Sequence, residues 1–94
     1  MPVVCFVTLS RSDYASLRPV ATAALADTDI DARIVAGGSH CLKRYGNTLE
    51  QILADGLPIH AVATFLDESD DSTAELAAAY ARAVSEFVRI FVAL

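Results

Sequence analysis

Three clusters of side chains in this sequence could do chemistry, and each follows an apolar run. The first is Ser10-Arg11-Ser12-Asp13, directly after VVCFVTL. A guanidinium there, beside backbone N–H groups at the start of a helix, can make a bidentate, charge-assisted contact to a phosphate oxygen. The plainer alternative is an Arg11 that pairs with Asp13 or is simply solvated. The second cluster is GGSHCLKRYGNT, residues 37–48. Its glycine pair lets a ligand approach the main chain, and His40 can donate to a ligand oxygen or move a proton near neutral pH. A histidine in a turn more often serves local hydrogen bonding, and Lys43 and Arg44 read as solvated. The third cluster is DESDD, with carboxylates at Asp67, Glu68, Asp70 and Asp71. Paired carboxylates can bind Mg²⁺ or do acid-base work, but the run lacks the ordered spacing and glycine of a calcium loop, so it reads as an acidic connection. His60, among apolar neighbours, reads as structural. Cys5 and Cys41 show no CxxC or Cys/His spacing. No metal or cofactor is expected, and the thiols are expected to be reduced.

The elements that must position these clusters alternate regularly. Residues 3–9 form a Val-rich run with little alternation, the pattern of a strand buried on both faces of a parallel sheet. A helix follows, capped by Asp13, with Leu17, Val20, Ala21, Ala24 and Leu25 at helical spacing. Pro19 has no N–H to donate, so an irregular first turn is expected before the regular helix. IDARIVAG supplies a second strand that ends at Gly37-Gly38. A short helix spans 48–54, with Leu49, Ile52 and Leu53 inward and Asp55-Gly56 as its stop. LPIHAVATF is the third strand. Ser72 and Glu75 have the spacing of a capping box at the head of a last helix, 72–94. That helix carries Leu76, Tyr80, Val84, Phe87, Val88 and Phe91 on one face and Glu75, Arg82, Glu86 and Arg89 on the other, while Ala77–Ala79 suit close packing.

The β-α-β-α-β-α order predicts a single, partial α/β domain over residues 1–94: a three-layer, Rossmann-like parallel sheet with right-handed crossovers and strand order 3-2-1. In that arrangement ligands bind beyond the carboxyl ends of the strands, where all three clusters fall.

Charge and composition narrow the partners. A hydrophobic content of 54 % excludes a disordered chain. The net charge of −5 argues against nucleic-acid binding. It is unevenly spread: residues 1–44 carry a net +1 and residues 45–94 a net −6. A small anion therefore finds its partner in the first half. The N-terminus lacks a basic region and a small-residue cleavage site, and Arg11 interrupts the apolar run too early for a membrane span. A cytoplasmic chain without membrane contact is the expectation.

Read in order, SRSDYASLRP after the first strand, GSHCLKRYGNTLEQILADG after the second and LPI leading into the third resemble the start of a UDP-N-acetylglucosamine 2-epimerase. The resemblance is to the hydrolysing branch that releases UDP and ManNAc at the head of sialic acid synthesis, and it covers nearly the whole chain. GSH followed by YGNT is its most specific part. It implies the first part of a GT-B N-terminal domain, with a UDP-sugar held between two Rossmann-like domains. It also implies substrate-binding roles for Arg11, which would reach the diphosphate, for Asp13 beside it, and for His40 facing the cleft. Leu9, Ala15 and Cys41 depart from the family pattern. The family's acid-base residues, including the Asp of a Gly-Asp-Arg segment, have no counterpart in these 94 residues, so no catalytic residue is assigned and the chain is expected to be inactive alone. In the full enzyme, anti elimination of UDP gives a 2-acetamidoglucal, to which water adds.

Two other readings stand beside this one: a stand-alone module that binds a small anion or a partner chain, and a fragment of the related 2-epimerase acting on a diacetamido-trideoxy sugar. A homo-oligomer is expected, and a stable monomer, its last helix folded back over the first strand, would instead favour the stand-alone module. The strand order leaves one side of VVCFV unpaired, and the last helix ends in apolar residues with only part of a sheet to cover.

Overall fold

The computed structural model describes residues 1–46, 48–67 and 72–94, with Arg44 by its backbone alone. In chain order the elements are β1 (Val3–Thr8), α1 (Arg11–Leu25), β2 (Asp31–Gly37), two short 3₁₀ helices (Gly38–Cys41 and Lys43–Tyr45), α2 (Thr48–Ala54), β3 (Ile59–Ala63) and α3 (Thr73–Ala93). The three strands form one parallel sheet in the order β1-β2-β3. The chain is thus an α/β fold, a parallel three-stranded sheet with helices on both faces.

The period-2 pleat of β2 builds both cores. Ile34 and Ala36 face one way and pack with Tyr14 and Ala21 of α1, Ile52 of α2, and Leu57. Val35 faces the other way and packs with Ala63 of β3 and Ile90 of α3. β1 splits in the same manner, Phe6 toward the α1/α2 side and Cys5 and Val7 toward α3. Its partner in register is β2 from Val3↔Asp31 to Thr8↔Ala36. β1 lies at the sheet's edge and most of its residues are only half-buried, not covered on both faces as its apolar sequence suggests. Between β2 and β3 the register shifts, pairing Ile34 with Ile59 but Val35 with Ala61. The extra residue, His60, is exposed on this irregularity. It also explains why Ile59 and Ala61, two residues apart, face opposite cores.

The helices differ from expectation in instructive ways. Ser10, not Asp13, is the N-cap of α1: its hydroxyl accepts from the Asp13 N–H, and the Asp13 side chain accepts from the Ser10 N–H in a complete capping box. Pro19 is accommodated inside a continuous helix, and the first turn is regular because the cap fixes it. Val20 and Leu53 are exposed, since the inward stripes of their helices run through Tyr14, Leu17, Ala21 and Leu25 and through Leu49 and Ile52. At the head of α3, the Ser72 hydroxyl accepts from the Glu75 N–H. Glu75 pairs with Arg82, whose guanidinium also donates to the Phe65 carbonyl at 2.9 Å. The stripe of α3 that meets the sheet runs through Phe87 and Ile90, while Tyr80, Val84, Val88 and Phe91 remain largely in solvent. Among the described residues no helix is long and apolar enough to cross a membrane.

Candidate functional site

The carboxyl ends of β1 and β2 are stitched together. The amide and the hydroxyl of Ser39 both donate to the Leu9 carbonyl, each at 2.9 Å. The glycines allow this. A Cβ on Gly37 would lie 2.2 Å from the Ala63 carbonyl oxygen, and Gly38 has φ +58° with a Cβ position 2.8 Å from the Leu9 oxygen. Only glycine lets the chain leave β2 between β1 and β3 at this point. The 3₁₀ turns that follow fold back over the start of α1.

Between them lies a cleft of about 780 Å³, lined by Ser10, Arg11, Ser12, Ser39, Tyr45 and Thr48 among others. Arg11 is exposed at its mouth, with the guanidinium running beside Gly46. The remaining polar lining consists of hydroxyls, which can donate to or accept from a bound oxyanion.

His40 lies behind this cleft, fully buried, with both ring nitrogens engaged. Nε2 is 2.9 Å from the Thr8 hydroxyl, and Nδ1 contacts the Thr48 hydroxyl. Thr8 in turn contacts Asp13 Oδ1. The directions follow from donor arithmetic. An ionised Asp13 can only accept, so Thr8 donates to it, and Nε2–H of His40 must donate to Thr8. Nδ1 is then the bare nitrogen, which accepts from Thr48. The result is a directed chain, Thr48 to His40 to Thr8 to Asp13.

The electrostatics agree with that order. Burial works against charge on Asp13, but the hydrogen bonds from Thr8, from the Leu9 N–H (3.0 Å to Oδ2) and from Ser10 outweigh it and hold the carboxyl below its ordinary range. Burial also drives the His40 pKa down, only partly opposed by the Asp13 charge and by a hydrogen bond to the Ser10 backbone. Beside it, the Tyr14 ring meets His40 edge-on at 6.1 Å and donates to Asp55 at 2.6 Å. Burial and that carboxylate push the Tyr14 phenol up to about 12. Asp55 is held low by the Tyr14 hydrogen bond first, then by Gln51 and by Arg18 at 3.5 Å.

The structure therefore brings Arg11, Asp13 and His40 to one end of the sheet and gives them three different situations. Arg11 is open to the cleft, Asp13 caps the helix, and His40 is a core residue that a ligand reaches only by displacing Thr8 or Thr48. Thr8, Thr48 and Tyr14 were not anticipated as partners. Thr8 carries the one available signal, a hydroxyl at the end of an apolar strand immediately before a cap. Of the acidic cluster, Glu68, Asp70 and Asp71 lie outside the described residues and Asp67 is exposed. No His, Cys, Asp and Glu group placed to hold a metal occurs among the described residues. Cys5 and Cys41 are free and half-buried, and burial raises both thiols. Compared with known proteins, the chain matches no family model and no curated relative.

Proposed function

We propose that this chain supplies the phosphate-facing part of a sugar-nucleotide site of the hydrolysing UDP-N-acetylglucosamine 2-epimerase type, with Arg11 as the residue that meets the diphosphate. The observation that carries the reading is the exposed Arg11 at the mouth of a hydroxyl-lined cleft beyond the carboxyl ends of parallel strands. The capping box occupies the Ser10 and Asp13 amides and places a carboxylate at the positive end of α1. An anion here depends on the guanidinium more than on the helix terminus. In this reading a second domain of GT-B type holds the nucleoside, and the acid-base groups for elimination of UDP come from outside these residues. The chain alone then binds weakly and does not turn over.

Amide and Arg side-chain NMR shifts, followed while UDP, UDP-N-acetylglucosamine, pyrophosphate and uridine are titrated, test the proposal. UDP, its sugar and pyrophosphate are expected to shift Arg11, Ser12, Ser39 and Gly46 and to lose this response in Arg11→Ala, whereas uridine, whose contacts belong to the second domain, is expected to shift none of them. A response to pyrophosphate that UDP-N-acetylglucosamine fails to reproduce would replace the sugar-nucleotide reading with a general small-anion module. Shifts that persist in Arg11→Ala, or UDP release by the chain alone, would overturn the assignment.

A further inference from the structure

A hydroxyl can give a hydrogen bond or take one, but the serine and threonine hydroxyls that line the Arg11 cleft have their protons placed inside the protein. Ser39 gives its proton to the Leu9 carbonyl at 2.9 Å, and Thr48 gives its own to the bare Nδ1 of His40. Ser10 donates to Oδ2 of Asp13 at 3.1 Å, since a carboxylate only accepts, and Ser12, 3.0 Å from Ser10, is then the donor of that pair. What Ser12, Ser39 and Thr48 retain for a ligand is lone pairs. The commitment is firmest at Thr48, which is 5 % exposed: turning its proton toward a ligand would strip a buried ring nitrogen of its donor. At Ser39 the amide and the hydroxyl share the Leu9 carbonyl, which holds the side chain against the end of β1. The opposite polarity belongs to Arg11, the only charged residue among the described lining residues, beside the first amides of α1 that the capping box leaves open. An oxyanion is thus attracted at Arg11 and meets lone pairs like its own at Ser39 and Thr48.

We propose that Ser39 and Thr48 are specificity-determining residues, an acceptor wall that takes hydrogen bonds from hydroxyl or amide N–H groups of a glycosyl unit whose phosphate meets Arg11. The inference rests on the sugar-nucleotide reading of the cleft and adds which part of the ligand each side meets. The class that fits both sides is a glycosyl phosphate, an anion joined to a ring rich in O–H donors. A bare phosphate or pyrophosphate satisfies only the Arg11 side. The cleft, about 780 Å³, has room for both parts of such a ligand. Donor groups on the ring lose their water partners on entry, so a wall that can only accept rewards a ring that carries them and turns away one that does not.

NMR titration of the chain with N-acetylglucosamine 1-phosphate and with cyclohexyl phosphate separates the two sides. Both ligands are phosphate monoesters of a six-membered ring, and only the first ring carries O–H and N–H donors. Both are expected to shift Arg11 and to lose that response in Arg11→Ala. The glycosyl phosphate is expected to bind at least about fivefold more tightly, the lower end for two neutral hydrogen bonds, and to shift Ser39 and Thr48 as well. Ser39→Ala keeps the amide bond to the Leu9 carbonyl, so the fold is expected to survive by circular dichroism. It is expected to cut the preference for the glycosyl phosphate by about twofold or more, with cyclohexyl phosphate bound as before. Equal binding of the two phosphates by the parent chain, each still dependent on Arg11, overturns the acceptor wall and leaves the Arg11 assignment standing. A preference that a folded Ser39→Ala chain retains in full does the same. Phosphates that leave Arg11 unmoved overturn both.

Discussion

Replacing Thr8 by valine tests the buried polar chain at its most connected point. Valine keeps the shape of threonine and removes one hydroxyl, and Thr8 is fully buried, so water cannot take its place. Two losses follow. Asp13 loses a charge-assisted donor, a bond of about 1.5–3 kcal/mol, and His40 Nε2–H loses its Thr8 acceptor and falls back on the Ser10 carbonyl, at about 1 kcal/mol. The two share one network, so the costs overlap, and the expected loss is about 2–4 kcal/mol. For a chain of 94 residues, whose whole stability falls near 5–14 kcal/mol, that is a large share. It corresponds to a drop of roughly 10–25 °C in Tm. Urea unfolding followed by circular dichroism measures it, with an unchanged m-value to show that the folded and unfolded states are otherwise alike. Thr22→Val is the control: its hydroxyl donates to the Arg18 carbonyl at 2.8 Å on the exposed side of α1, and its loss is expected to cost less than about 0.5 kcal/mol. A Thr8→Val protein within that same margin of the parent would refute the reasoning, as would imidazole nitrogen shifts showing the proton on Nδ1 of His40.

Three further expectations follow from the geometry. Because the folded pKa of His40 lies below its unfolded value of about 6.5, the unfolded chain binds the extra proton, so stability should fall as pH drops below about 6.5; the part of this slope above the carboxylate range should vanish in His40→Gln, while the lower part, from Asp13 and Asp55 held low in the fold, should remain. Pro19 sits exposed in the middle of α1, where its missing N–H and ring crowding cost helix stability; Pro19→Ala should raise the unfolding free energy by about 1–2 kcal/mol, and a decrease in denaturant midpoint would contradict this. Gly37→Ala would drive a methyl to 2.2 Å from the Ala63 carbonyl, a contact that must part β2 from β3, so a loss above about 3 kcal/mol, or no folded protein, is expected in thermal melts.

The fold was legible where hydrophobic period and punctuation agreed. The alternation of apolar runs with helical spacing gave the parallel order, and Thr48 with Asp55-Gly56 bounded α2 at Thr48–Ala54. What escaped was decided by tertiary contact. Choosing between Ser10 and Asp13 as N-cap requires knowing where β1 stops, and Thr8 ends it because its hydroxyl turns back to Asp13 and His40. In α3 the widest apolar stripe suggested the buried face, yet only Phe87 of that stripe joins Ile90 against the sheet. Of the site, Arg11 lies open to the cleft, whereas His40 is built into the core by partners 32 residues before and 8 residues after it, a pairing that local spacing does not reveal.

The sheet's two faces are unequally held, and this gives the molecule an internal order of opening. On one side α1 and α2 enclose Tyr14, Ala21, Ile34, Ile52 and Leu57, and the polar chain from Thr48 to Asp13 ties both helices to β1. On the other, Ile90 of α3 rests on Val35 and Ala63, with Phe65 and Phe87 partly buried beside them. The two halves share the sheet, whose strands send alternate residues to each side, and little else. Release of α3 therefore need not disturb the Arg11 cleft. Hydrogen exchange should resolve two cooperative units, with α3 amides exchanging through a cheap sub-global opening and those of β2 and α1 only through complete unfolding.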